Sequence, residues 1–127
     1  MAYRFRKHYT GTEATALLPQ IRQWLERVER LRQTLHKCER RLNGLMSTGD
    51  DVGGDSVNLQ VRTLAEINEV LTEFEQRLIQ IKDLDRGLID FPAIVGGKEV
   101  FLCWEKDEEQ VEFWHDLDAG YAGREKL

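Results

Sequence analysis

From Leu17 onward, apolar residues return in alternating steps of four and three: Leu17, Ile21, Trp24, Val28, Leu31, Leu35, Cys38, Leu42 and Leu45. That is a heptad seam held for about four repeats, the pattern of a helix packed along another helix. Thr10 and Glu13 stand ahead of it at capping-box spacing, each side chain placed to accept from the other's amide. A helix over residues 10–46 follows, with a kink or fresh start expected around Pro19, which has no amide proton to give. A second series, Val57, Val61, Leu64, Ile67, Leu71, Phe74, Leu78, Ile81 and Leu84, predicts a helix over 55–86 that stops at Gly87. The polar, glycine-rich stretch 47–54 between them reads as a flexible tip. Its acids Asp50 and Asp51, with Asp55 just after it, lack the alternation and closing glutamate of a calcium loop. A short loop between long helices makes them antiparallel neighbours.

After Gly87 the pattern turns to strands. Pro92 favours extended backbone at Phe91, and Gly96-Gly97 marks a hairpin between 93–95 and 98–104. A polar turn at 106–109 then leads into Gln110–His115. Pairing Glu105 with Gln110 sets Trp104 opposite Val111, Leu102 opposite Phe113 and Val100 opposite His115. In that register Cys103 and Trp114 lie on one face of the sheet and His115 on the other. Tyr3 and Phe5 alternate with Arg4 and Arg6, as an added edge strand would. The expected fold class is α+β: a long, coiled-coil-like antiparallel helical hairpin with a small C-terminal antiparallel β-sheet packed at its base. It forms one domain over 1–127, with 1–9 as an N-terminal extension or edge strand, 10–46 and 55–86 as helices, and 87–127 as a β-rich tail.

Composition narrows the function classes. Charged residues make up 32% of the chain and mean hydropathy is -0.52, while the longest strongly apolar run, Val100 to Trp104, is far too short to span a bilayer. No membrane association is expected. The first residues carry no apolar stretch of a secretory signal, and Cys38 and Cys103 are the only cysteines, so a reduced, cytoplasmic protein is expected. The net charge of -5 hides a gradient: residues 1–46 hold ten bases and four acids, residues 47–127 eight bases and nineteen acids. The acidic half would repel phosphate, so nucleic acid is not an expected partner.

The residues Tyr9-Thr10, Glu13-Ala14 and Leu17-Leu18-Pro19 are followed, after a helical span, by Gly87-Leu88, Asp90-Phe91-Pro92, Gly97, Val100 and Leu102-Cys103-Trp104. Trp114-His115, Asp118, Gly120 and Gly123-Arg124 close the series. Together they resemble a bacterial family of uncharacterised proteins, domain of unknown function 2203, over nearly the whole chain. The family usually has a glycine before the acid in the turn after the tryptophan, where this chain has Asp107 or Glu108, which implies a longer turn here. The resemblance brings no activity and marks the tail as the family's signature surface.

The candidate chemistry lies in that tail. Cys103 and His115, with Asp90, Asp116 and Asp118 as carboxylate fillers, lack tight zinc spacing and point to opposite faces in the register above, so no metal site and no Cys–His nucleophile pair is expected. His8 and His36 read as surface residues, and Cys38 as packing. The loop 118–124 is the better prospect: its glycines let amides approach a ligand, and Arg124 suits a carboxylate or phosphate. In the plainer reading Arg124 pairs internally with Asp90 or Asp118. In the sharper one His115, Asp118, Arg124, Asp90 and Trp114 form a small-anion pocket. The first functional expectation is a non-enzymatic protein-interaction or scaffold module that forms a homodimer through its hairpin or binds another protein, with no cofactor and no catalytic residue. The alternative is a ligand-binding or hydrolytic domain using the His/Asp/Arg cluster.

Overall fold

The computed structural model describes residues 3–48 and 54–127. Two helices, α1 (Gly11–Thr48) and α2 (Gly54–Gln76), pack together and precede five strands: β1 (Gln80–Asp83), β2 (Leu88–Val95), β3 (Lys98–Glu105), β4 (Phe113–Asp116) and β5 (Glu125–Lys126). The strands form one antiparallel sheet in sequence order. The fold is α+β, as the pattern predicts. The chain divides into two compact units, one of Met1–Gln23 with Glu73–Leu127 and the other of Trp24–Thr72. Asp50 and Asp51 of the expected connector lie outside the described residues.

The capping box forms: the Glu13 amide donates to Thr10 Oγ1 and the Thr10 amide to Glu13 Oε1, both at 3.1 Å. Helix α1 runs without interruption through the exposed Pro19, where a break was expected. In the helical unit Val28 and Cys38 of α1 are buried, but on α2 the buried positions are Ser56, Thr63 and Val70. The expected seam residues Val57, Val61 and Leu64 are instead exposed. The inward positions Ser56, Thr63 and Val70 recur every seven residues, one place ahead of Val57, Leu64 and Leu71, so the seam keeps the heptad period but is turned by one residue, about 100°, from the apolar series. The buried Thr63 hydroxyl is satisfied within the helix, donating to the Leu59 carbonyl at 2.7 Å.

Helix α2 ends ten residues earlier than its apolar series suggests. The Ile79 amide donates to Phe74 O and the Leu78 amide to Glu75 O, a Schellman closure with Leu78 at φ 60 where glycine is usual. Ile79 and Ile81 then alternate as a strand, so 77–86 is not helix but the approach to β1 and its turn. That turn closes at Gly87, φ 64, where an added Cβ would stand 2.7 Å from Lys106 Cβ.

In the sheet unit one face carries Ile89, Phe91, Val100, Leu102 and Trp104, all buried, with Ala14, Leu18 and Ile21 from the start of α1. Arg22 lies over the Trp104 ring and Thr15 Oγ1 accepts from the Val111 amide, so the sheet caps the helix base as expected. The Gly96-Gly97 hairpin forms, both glycines at positive φ. The β3–β4 register differs by one residue from the expected one: Val100 pairs with Asp116, Phe101 with His115, Leu102 with Trp114 and Cys103 with Phe113. Because side chains alternate faces, that slip moves His115 onto the face of Cys103 and sends Trp114 to the other. Residues 3–9 form no strand; the Glu99 carboxylate holds the Arg4 and Phe5 amides instead.

Candidate functional site

Three adjacent strands bring three ionisable groups together on the sheet face away from α1. Asp90 of β2 is the direct partner of Cys103 of β3, and His115 of β4 lies diagonally across from Cys103. All three are almost fully buried, and one donor atom from each lies within 4.8 Å of the other two. Aromatic packing seals one side: the Phe101 ring lies 5.7 Å from the His115 ring and 5.4 Å from that of Phe5.

The hydrogen bonds fix the histidine tautomer. His115 Nδ1 is 2.7 Å from the Asp116 carbonyl, which can only accept, so Nδ1 carries a proton. The other ring nitrogen, Nε2, faces Asp90 Oδ2 at 3.0 Å. Asp90 Oδ1 is buried without a hydrogen-bond partner. The Cys103 thiol neighbours this carboxyl but makes no geometrically sound hydrogen bond to Oδ1. Burial raises the Asp90 pKa, against the opposing charge and hydrogen bond of His115. Burial and then the Asp90 charge push the Cys103 thiol up to about 12, against the Arg124 guanidinium. At that value the thiolate is scarce near neutral pH, so Cys103 is no nucleophile by itself.

Asp90 and His115 form the floor of a cleft of about 280 Å³, walled by Lys82, Leu117, Asp118 and Tyr121. Lys82 enters through a bulge: the β1–β2 register shifts between Ile81 and Asp83, which re-aims the intervening residue. Of the residues expected in a pocket, Asp90, His115 and Asp118 meet here. Trp114 does not, because the register turns it to the opposite face. Arg124 pairs with neither Asp90 nor Asp118. It makes a two-pronged ion pair with Glu108, stacks on Phe113 and Tyr121, and donates to Cys103 Sγ at 3.8 Å.

Lys82 and the approach of Cys103 to His115 escape the sequence reading. For Lys82 a signal existed in the two-residue alternation Ile79, Ile81 ahead of the turn-forming Asp83–Gly87.

The profile of a family described as "Uncharacterized conserved protein (DUF2203)" matches residues 7–127, and the chain belongs to that family. No curated protein and no solved structure matches it.

Proposed function

We propose that this member of the DUF2203 family is a small-ligand-binding domain whose site is the cleft over Asp90 and His115. The observation that carries the reading is a buried, incompletely partnered Asp–His pair at the floor of a cleft into which a strand bulge turns a lysine. Proteins rarely keep such groups buried without use. The ligand carries an anionic end, a carboxylate or phosphate, for Lys82. It is small, since a cleft of about 280 Å³ lies at the lower end of the range for ligand pockets.

A thermal-shift screen of small carboxylates and phosphate esters tests this. At least one compound should raise the melting temperature of the wild type and fail to do so for Lys82→Ala. If every stabilising compound acts equally on both proteins, the cleft is not the site.

A second reading concerns the helical unit. Val57, Val61 and Leu64 share one flank of α2, and Leu31, Leu35 and Leu42 of α1 are only half-buried. This supports a homodimer in which a second copy covers the flank and completes a four-helix, coiled-coil-like bundle. Charge favours a second copy as occupant. Residues 24–45 hold six bases and three acids, while residues 54–72 hold one base and three acids, so an antiparallel pair sets opposite charges together. Two free, buried cysteines fit a reducing compartment, and we place the protein in the cytoplasm. No helix among the described residues is long and apolar enough to cross a membrane.

A further inference from the structure

We infer that Asp90, Cys103 and His115 bind a divalent metal ion of the zinc class, with an open coordination position facing the cleft. The inference deepens the cleft reading and rests on it only for what occupies that open position.

Proton placement starts the argument. With Nδ1 committed to the Asp116 carbonyl, Nε2 and Asp90 Oδ2 stand 3.0 Å apart, and a bare imine nitrogen and a carboxylate oxygen repel at that distance. A positive charge has to lie between them, either a proton or a metal ion. A proton satisfies Nε2 and Oδ2 but leaves Asp90 Oδ1 buried and unpartnered. A metal ion bound through one Asp90 oxygen neutralises the whole buried carboxylate, including the unpartnered Oδ1, and adds Cys103 Sγ, the third donor of the cluster.

Distances and charge agree. In a tetrahedral site with bonds of about 2.0–2.3 Å, donor atoms stand roughly 3–4 Å apart, so a set already within 4.8 Å needs only a small contraction. One thiolate and one carboxylate cancel the charge of a divalent ion, which makes the buried floor neutral. A sulfur and an imidazole nitrogen select zinc over magnesium or calcium, which take oxygen donors. The outer contacts also fit. The Nδ1–H bond to a backbone carbonyl orients the imidazole in the way metal-bound histidines are held, and Arg124, 3.8 Å from Sγ, favours the thiolate. Asp90 and His115 line the cleft, so three protein donors leave the fourth position open to water or to the anionic end of the ligand.

Cobalt(II) substitution tests the site. Full-length protein, stripped with a chelator and kept reduced with a phosphine, is titrated with Co²⁺ alone. One equivalent should produce a near-ultraviolet thiolate-to-cobalt charge-transfer band, displaced by Zn²⁺. The band should persist in Cys38→Ser and vanish in Cys103→Ser and Asp90→Asn. Absence of the band in the wild type, or its loss in Cys38→Ser with retention in Cys103→Ser, overturns the proposal. X-ray absorption on zinc-loaded Cys38→Ser protein decides the matter without any change at the site: one sulfur in the zinc shell is expected, and a shell of nitrogen and oxygen alone overturns it. The cleft reading fails separately. Metal binding without any Lys82-dependent ligand leaves the metal site standing and removes the ligand, while Lys82-dependent stabilisation without metal does the reverse.

Discussion

Replacing Glu99 with Gln should release the amino-terminal segment while the sheet stays folded. The Glu99 side chain projects from β3 and is only 9% exposed. Its Oε1 accepts the Arg4 amide at 2.8 Å, and its Oε2 accepts the Phe5 amide at 3.0 Å and bonds His8 Nε2 at 2.7 Å. Hydrogen bonds to a charged acceptor contribute about 1.5–3 kcal/mol each before rehydration of the freed groups. Glutamine keeps one acceptor oxygen and turns an NH₂ group toward a donor. Since the segment 3–8 is largely exposed and its amides regain water, the net loss should be about 1–3 kcal/mol. At 1.4 kcal/mol per factor of ten, hydrogen exchange at the Arg4 and Phe5 amides should quicken roughly 5- to 100-fold.

The same clamp carries a pH signature. Burial pushes the Glu99 carboxyl up, but the bonds from His8 and from the Phe5 and Arg4 amides outweigh it and hold the pKa below the ordinary glutamate value. A carboxyl lowered on folding stabilises the folded state fully above its unfolded pKa of about 4.3, and that stabilisation disappears as the pH falls through the lower folded value. Protection of the two amides should therefore hold at neutral pH and collapse on acidification in the wild type. Glu99→Gln should show weak protection at both. Equal exchange in the two proteins at neutral pH would refute the clamp.

Gly87→Ala combines a left-handed backbone with a Cβ 2.7 Å from Lys106, so chemical denaturation should show a loss of about 2–4 kcal/mol; a loss below about 0.5 would mean the turn relaxes freely. Val61→Glu places a charge on the exposed flank of α2, 60% exposed, and should turn a sedimenting dimer into a monomer with little change in stability. A wild type that is already monomeric at tens of micromolar removes that reading. Arg124→Lys keeps the charge but loses the planar fork to Glu108 and the stacking on Phe113, and should lower stability by about 1–2 kcal/mol in thermal melts. An unchanged melting curve would show that charge alone suffices.

Long-period features were legible in the sequence. The capping box, both helices, the Gly96-Gly97 hairpin and the burial of the sheet against the start of α1 follow from local rules that the rest of the chain does not contradict. What failed depended on a single residue's offset. On α2 the inward stripe runs one residue ahead of the apolar series, through Ser56 and Thr63, whose polarity hides it from a hydrophobic pattern. The end of α2 was misread because a leucine, not a glycine, takes the left-handed position at Leu78. Three of the five residues expected in the pocket, Asp90, His115 and Asp118, belong to it. Trp114 is turned away from it, and Cys103 is brought beside His115, by a register that no pattern within β3 or β4 specifies.

That register is set by one residue in the turn between them. Glu108 donates its amide to the Glu105 carbonyl at 2.9 Å and accepts the Glu105 amide on Oε1 at 2.8 Å, which closes the turn on the end of β3. Its carbonyl takes the Trp104 indole at 2.8 Å and Arg22 Nη2 at 2.9 Å, which ties the turn to α1. The other side of its carboxylate grips Arg124 beyond β4, so both flanks of the β3–β4 connection are fixed to one side chain. These bonds hold residues 106–112 out of the ladder, and strand pairing resumes only at Phe113 opposite Cys103. A tighter turn starting the pairing at Gln110 would have put His115 against α1 and left Asp90 and Cys103 without an imidazole. The chemistry of the cleft therefore depends on an acidic side chain that touches no part of its floor.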